Sequence, residues 1–233
     1  IIFFLALATT LFLQVLSNLA NDYGDAEKGT DNENRVGPER AIQSGAISKS
    51  QMKNAIIIFV ILSFSFGVSL VAYAMRNAHL GYTLFLLITG ILSIVAAIKY
   101  TAGKTAYGYK GLGDLFVFIF FGLVGVLGSK FLYTTSFELA SLLPAMTIGL
   151  FSAAVLNLNN MRDRLSDAKV NKNTVAVMLG ETRVKTYHTA LILGGFTSVP
   201  GAIVGGLIIG VGEKVAEVYW GPLVDGAIEN WFA

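Results

Sequence analysis

Apolar residues along this chain come in long runs, near 1–18, 54–74, 80–98, 115–133, 139–158 and 189–211, with polar residues gathered between them. Each run has the length a helix needs to cross a hydrocarbon core of about 30 Å, roughly 20 residues. With no water to satisfy the backbone, such a run closes its own hydrogen bonds as a helix. The runs do not alternate apolar with polar, as the strands of a membrane barrel do. The pattern predicts an all-α fold: a polytopic transmembrane helix bundle of about six spans in a lipid bilayer. Two long polar loops, 21–53 and 159–188, and a medium one, 99–113, separate the spans; the connections at 75–79 and 134–138 are short.

Composition agrees. The chain is 54% hydrophobic and only 14% charged, too apolar for an ordinary soluble domain. A net charge of +2 gives no support to nucleic-acid binding, and the absence of cysteine excludes disulfides and thiolate chemistry. The sequence opens on Ile1 inside an apolar run, which predicts a chain truncated at its N-terminus. Residues 1–18 lack the basic leader and small-residue cleavage site of a signal peptide. Fourteen of the 17 basic residues fall in the three longer loops, which lie on one side if the spans alternate. The positive-inside rule makes that side cytoplasmic, and the membrane a cytoplasmic (inner) one.

Both acidic stretches therefore face one compartment. The first runs from Asn21 through Asp22 and Asp25 to Asp31; the second from Asn159 through Asp163 to Asp167. Each follows directly on a span and so continues a helix out of the membrane. Asn159, Asp163 and Asp167, spaced four apart, would line one helical face, as would Asn21 and Asp25. In the first stretch the next place is Gly29, with Asp31 beyond it, which predicts a helix break there. Magnesium takes oxygen ligands, usually one or two carboxylates together with substrate phosphates. Two facing clusters could hold Mg²⁺ ions bridging a diphosphate and turn it into a better leaving group. Asp25 and Asp163 are then the candidate catalytic carboxylates. An Asp-rich stretch beside a membrane is more often simply solvated, but its repetition at two helix ends favours the metal. Neither stretch has the loop spacing of an EF-hand.

Basic residues near both clusters suit a diphosphate: Arg35 and Arg40 after the first, Lys172 after the second, and Lys104 and Lys110 in the aromatic-rich loop from Tyr100 to Lys110. Each is equally readable as a positive-inside residue. Asp114, at the start of a span, reads either as lining a cavity or as an interfacial carboxylate.

Four stretches carry a resemblance: Asn18 to Asp31, Arg35 to Gly45, Tyr107 to Asp114, and Asn157 to Glu181. Over about residues 1–190 the chain resembles the UbiA-type intramembrane prenyltransferase superfamily, and within it the naphthoate branch that serves menaquinone synthesis. The resemblance implies Mg²⁺-assisted loss of diphosphate from a polyprenyl diphosphate, giving an allylic cation that an aromatic acceptor, dihydroxynaphthoate-like, attacks. Asn21, Asp25 and Asp31 match the first aspartate-rich motif of that superfamily, and Asn159, Asp163 and Asp167 the second. Tyr100 and Lys104 match a Tyr-x₃-Lys element associated with the diphosphate. From about Leu193 to Ala233 the sequence instead resembles the permease subunit of branched-chain amino-acid ABC transporters. Two parts are thus expected, 1–190 and 191–233, joined near 188–195. Beside the enzyme reading stand a permease component, which would leave both acidic clusters without a task, and an inactive chimeric fragment.

Overall fold

The computed structural model describes residues 1–31, 37 and 39–196. Among the described residues every regular element is helical. The order is α1 (Ile2–Glu27), α2 (Lys49–Ala74), α3 (Leu80–Lys99), α4 (Gly113–Thr134), α5 (Leu142–Arg162), the short α6 (Arg164–Lys169) and α7 (Val175–Gly195). Five stretches are long and apolar enough to cross a membrane: α1 to α4, and Leu139–Arg162, which contains α5. The sixth expected span, 189–211, lies for the most part outside the described residues, as does the expected permease-like part, 191–233.

Polar residues set the ends of these helices. α2 begins ahead of its apolar run because Ser48 and Gln51 form a capping box, the Ser48 hydroxyl accepting from the Gln51 amide at 3.2 Å. His79 Nδ1 accepts from the Gly81 amide at 3.1 Å and starts α3. The loop expected over 159–188 is largely helical instead. Thr174 caps α7 by accepting from the Val177 amide. Neither α6 nor the first half of α7 is apolar enough to have been seen in the hydropathy pattern. Within α4, Phe118–Leu127 is wound as a π-helix, which no sequence feature predicts.

The bundle is apolar on the outside and small-residued within. Phe3, Phe4, Leu7, Ile58 and Phe85 are exposed, whereas Ala20, Ala145, Ala153 and Ala154 are buried. Lipid is as apolar as leucine, so burying large side chains gains little and close backbone approach decides the packing. Where α4 crosses α5, a Cβ on Gly122 would stand 2.5 Å from the Ala145 carbonyl oxygen and 2.6 Å from Gly149 Cα. Helices α1, α2 and α3 pack on one another, and α5 packs on both α4 and α7. The two groups meet along the last part of α4 and again at the polar end of the bundle, where the acidic residues lie.

Candidate active site

Asp25 sits in the last turn of α1 and is 2% exposed. A carboxylate at a helix C-terminus opposes the helix dipole, so its burial there needs compensation from outside the helix. Two groups supply it. The Tyr109 hydroxyl donates to Asp25 Oδ1 at 2.6 Å, and Lys172 Nζ lies 3.3 Å from Oδ2. The same ammonium stands 3.7 Å from Oδ1 of Asp167, itself buried in α6. One buried lysine therefore ties the first acidic segment to the second.

The surroundings hold that lysine in place. Its backbone amide donates to the Asp167 carbonyl at 2.9 Å, and the next amide, Asn173, donates to the Tyr109 carbonyl at 3.2 Å. Thr30 shares a hydrogen bond with the Tyr109 hydroxyl. Lys28 Nζ lies 3.8 Å from the centre of the Tyr109 ring and donates to the Thr101 carbonyl at 2.6 Å. Thr101 in turn donates to the Ala20 carbonyl at 3.0 Å. Gly24 makes that docking feasible: a Cβ there would stand 2.5 Å from Thr101 Oγ1 and 2.7 Å from its carbonyl carbon. Any side chain at 24 would push the aromatic loop off α1.

Burial dominates the proton affinities here. It raises Tyr109 well above the usual phenol range, and the adjacent Asp25 carboxylate adds to the effect. Tyr100 is raised in the same way, by burial first and then by Asp25, Asp114 and Asp167. Both phenols remain hydrogen-bond donors. Lys28 is lowered, chiefly by burial, against the pull of Asp25.

The structure thus brings together Asp25, Asp167, Lys172 and Tyr100 of the expected site residues. α1 ends at Glu27, and Gly29 (φ 69°) turns the chain before Asp31, so the helix breaks where the glycine predicted. Asn21 Oδ1 is buried and has no hydrogen-bond partner. The second segment is arranged differently from its spacing. α5 stops at Arg162, Asp163 is its C-terminal cap, and the Asp163 carboxylate is held by Arg162 through two contacts of 2.9 Å. Asn159 is exposed, while its neighbours Asn157 and Asn160 are buried. Lys104 is exposed on the aromatic loop. Arg40 is half-buried, its backbone amide donating to Gln43, and Arg35 lies outside the described residues. Sequence reasoning passed over Tyr109, Thr30 and Lys28. Only the density of tyrosines in the loop hinted at the first.

The oxygens of this cluster suit a hard cation. The Asp25 and Asp167 carboxylates converge on the Lys172 ammonium, and Asn21, one turn before Asp25 in α1, has a spare oxygen. Among the described residues no three carboxylates or imidazoles form a ready-made cage. Magnesium completed by substrate phosphates needs none.

The UbiA prenyltransferase family matches residues 1–224. The chain belongs to that family. The match extends beyond the join expected near 188–195. A 1,4-dihydroxy-2-naphthoate octaprenyltransferase of Haemophilus influenzae is 50% identical over 188 residues, covering 81% of this UbiA-family chain and 60% of the relative. The protein of the same name from Escherichia coli is 50% identical over 190 residues, covering 82% and 61%. That from Mycobacterium tuberculosis is 36% identical over 188 residues, covering 81% and 61%. The chain thus spans about 60% of the length of these curated relatives. No solved structure matches it.

Proposed function

We propose that the chain carries the donor site of a Mg²⁺-dependent membrane prenyltransferase, moving a polyprenyl group from its diphosphate to an aromatic acceptor of the 1,4-dihydroxy-2-naphthoate kind, in menaquinone biosynthesis. The observation that carries the reading is the meeting of Asp25 and Asp167, from the two acidic segments, at the single ammonium of Lys172. The naming of half-identical relatives supports the acceptor class.

Asp25, Asp167 and the spare oxygen of Asn21 would hold Mg²⁺, with Asn159, Asp163 and Asp31 joining as the ligand arrives. The metal supplies Lewis-acid neutralisation of the diphosphate, which lets it leave. The protein's own groups do the rest. Asp163 would exchange its Arg162 partner for the bound cation, freeing that guanidinium for a phosphate oxygen. Lys172, already buried between the carboxylates, can turn an N–H towards the diphosphate, as can Arg35, Arg40 and Lys104. Tyr109 keeps its proton and fixes Asp25 by hydrogen bonding, and the buried Tyr100 keeps its own beside it.

An apolar cavity of about 160 Å³ supports the donor's chemistry. It lies between α1, α2, α3 and α4 and opens to the outside of the bundle, lined by residues such as Leu13, Gly67, Gly90 and Val124. Such a cavity suits part of an isoprenoid chain. We place the polar end in the cytoplasm and the bundle in the inner membrane, on the charge asymmetry of the loops. The division into 1–190 and a permease-like 191–233 rests on sequence resemblance alone.

The test is prenyl transfer in membranes expressing the chain, with Mg²⁺, a polyprenyl diphosphate and 1,4-dihydroxy-2-naphthoate. Prenylated product that disappears on chelation of Mg²⁺ is the expected result. Absence of diphosphate binding, with or without metal, would overturn the reading.

A further inference from the structure

Behind Tyr100 lies a second polar cluster that the donor site does not use. Asp114, at the start of α4, is 5% exposed, and its Oδ2 has no hydrogen-bond partner. Asn157 of α5 is fully buried beside it, and neither its amide nitrogen nor its amide oxygen completes a hydrogen bond. Tyr187 of α7, half-buried, is the carboxylate's other polar neighbour. Three helices therefore bring three polar side chains to one buried place at the membrane edge. A polar atom buried without a partner is destabilising. Ionisable groups at such depths are uncommon where nothing uses them. Donor and acceptor capacity is left over at adjacent atoms, as a hydroxyl ligand would require.

The position narrows the ligand. Tyr100 feels the charges of Asp25, Asp167 and Asp114 together, so the donor site and this cluster both lie close to it. Its hydroxyl lies 3.3 Å from where a Cβ on Gly113 would stand, next door to Asp114. From Tyr100 a line of rings runs on, edge-on to Tyr107 at 5.4 Å, which stacks on Phe116 at 4.1 Å. Flat aromatic surface thus adjoins the hydroxyl-binding groups, one side chain away from the diphosphate.

We infer that Asp114, Asn157 and Tyr187 form the recognition site for a phenolic hydroxyl of the aromatic acceptor. The inference rests on the transfer reading above for the identity of the ligand. The Asp114 carboxylate accepts from the phenolic O–H, and the Asn157 amide donates to the same oxygen. Tyr187 braces the carboxylate from α7. The ring is thereby held beside Tyr100, next to the donor site. A site built around a hydroxyl rejects an analogue without one, because its buried groups are then left unpaired.

The chain in lipid nanodiscs, titrated with 1,4-dihydroxy-2-naphthoate and followed by naphthalene fluorescence, tests this. Asp114→Asn is expected to weaken binding by about tenfold or more, and Tyr187→Phe by roughly threefold, as lost hydrogen bonds to a charged and a neutral group would. The 1,4-dimethoxy analogue should bind wild type and Asp114→Asn alike. Inorganic diphosphate with Mg²⁺, titrated on the same samples, should bind both equally, which also shows that the variant is folded. Equal affinity of wild type and Asp114→Asn for the dihydroxy probe would overturn the inference and leave a site for water only. So would failure of wild type to bind the probe. If Asp114→Asn loses diphosphate as well, Tyr187→Phe decides: unchanged probe affinity there overturns the inference. Wild type that binds the probe but not diphosphate would remove the transfer reading and leave this site standing.

Discussion

Asp25 and Asp163 hold matching places in the two acidic segments, each four residues after an asparagine and each at the end of a long membrane helix. Their surroundings are opposite. Asp25 is buried, takes a hydrogen bond from Tyr109 and faces the ammonium of Lys172. Asp163 is partly exposed and held by its own neighbour, Arg162. The counterpart of Asp25 by burial is Asp167, four residues further on. The difference follows from where each helix stops. α1 runs past Asp25 to Glu27, so the carboxylate stays on the packed face; α5 stops at Arg162 and leaves Asp163 on the rim. One carboxylate is held by partners from elsewhere in the chain, the other only by the residue before it.

Mutations can break or sharpen that contrast, and thermal unfolding in a fixed detergent is the first readout. Lys172→Met should have the largest effect. It leaves two buried carboxylates facing one another, and breaking a buried pair costs about 3–5 kcal/mol. A loss below about 1 kcal/mol would mean that the ammonium is not what joins the segments. Tyr109→Phe comes next, at about 1.5–3 kcal/mol, for a hydrogen bond given to a carboxylate. Asp163→Asn should cost at most about 1 kcal/mol without ligand, since partly exposed ion pairs contribute little. Asn159→Ala, at an exposed position, should stay within about 0.5 kcal/mol. If Asp163→Asn destabilised the ligand-free protein as much as Tyr109→Phe, the contrast would be gone.

The spans were legible because lipid demands long apolar runs; α3 and α4 were legible nearly to their ends, whereas α1 and α2 extend into polar residues expected as loop. The short α6 and the start of α7 were not, because amphipathic turns held by a Thr174 cap look like polar loop. Asn21 and Asp25 lie four residues apart in one helix, as their spacing predicts. In the second segment spacing gave neither the break after Arg162, which parts Asn159 from Asp167, nor the phase of the helix before it. That phase is set by packing against α4 and α7, and it turns Asn157 and Asn160 inward and Asn159 outward. Lys172 was legible as a basic residue near the cluster. Its place between Asp25 and Asp167 was not, because no local pattern records a contact between residues 147 positions apart. Asp114 was readable two ways, and only the buried Asn157 and Tyr187 beside it favour the cavity-lining role.

The central claim is that both acidic segments serve one diphosphate site. It is tested most directly by the rise in melting temperature that Mg²⁺ plus geranyl diphosphate produces in wild type, Asp25→Asn, Asp163→Asn and the double variant. The account predicts a rise in wild type that requires both metal and diphosphate. Either single substitution should abolish it, although Asp163→Asn melts almost like wild type without ligand. A rise that survives in either single variant, or that falls by half in each and vanishes only in the double, would show two independent sites and contradict it.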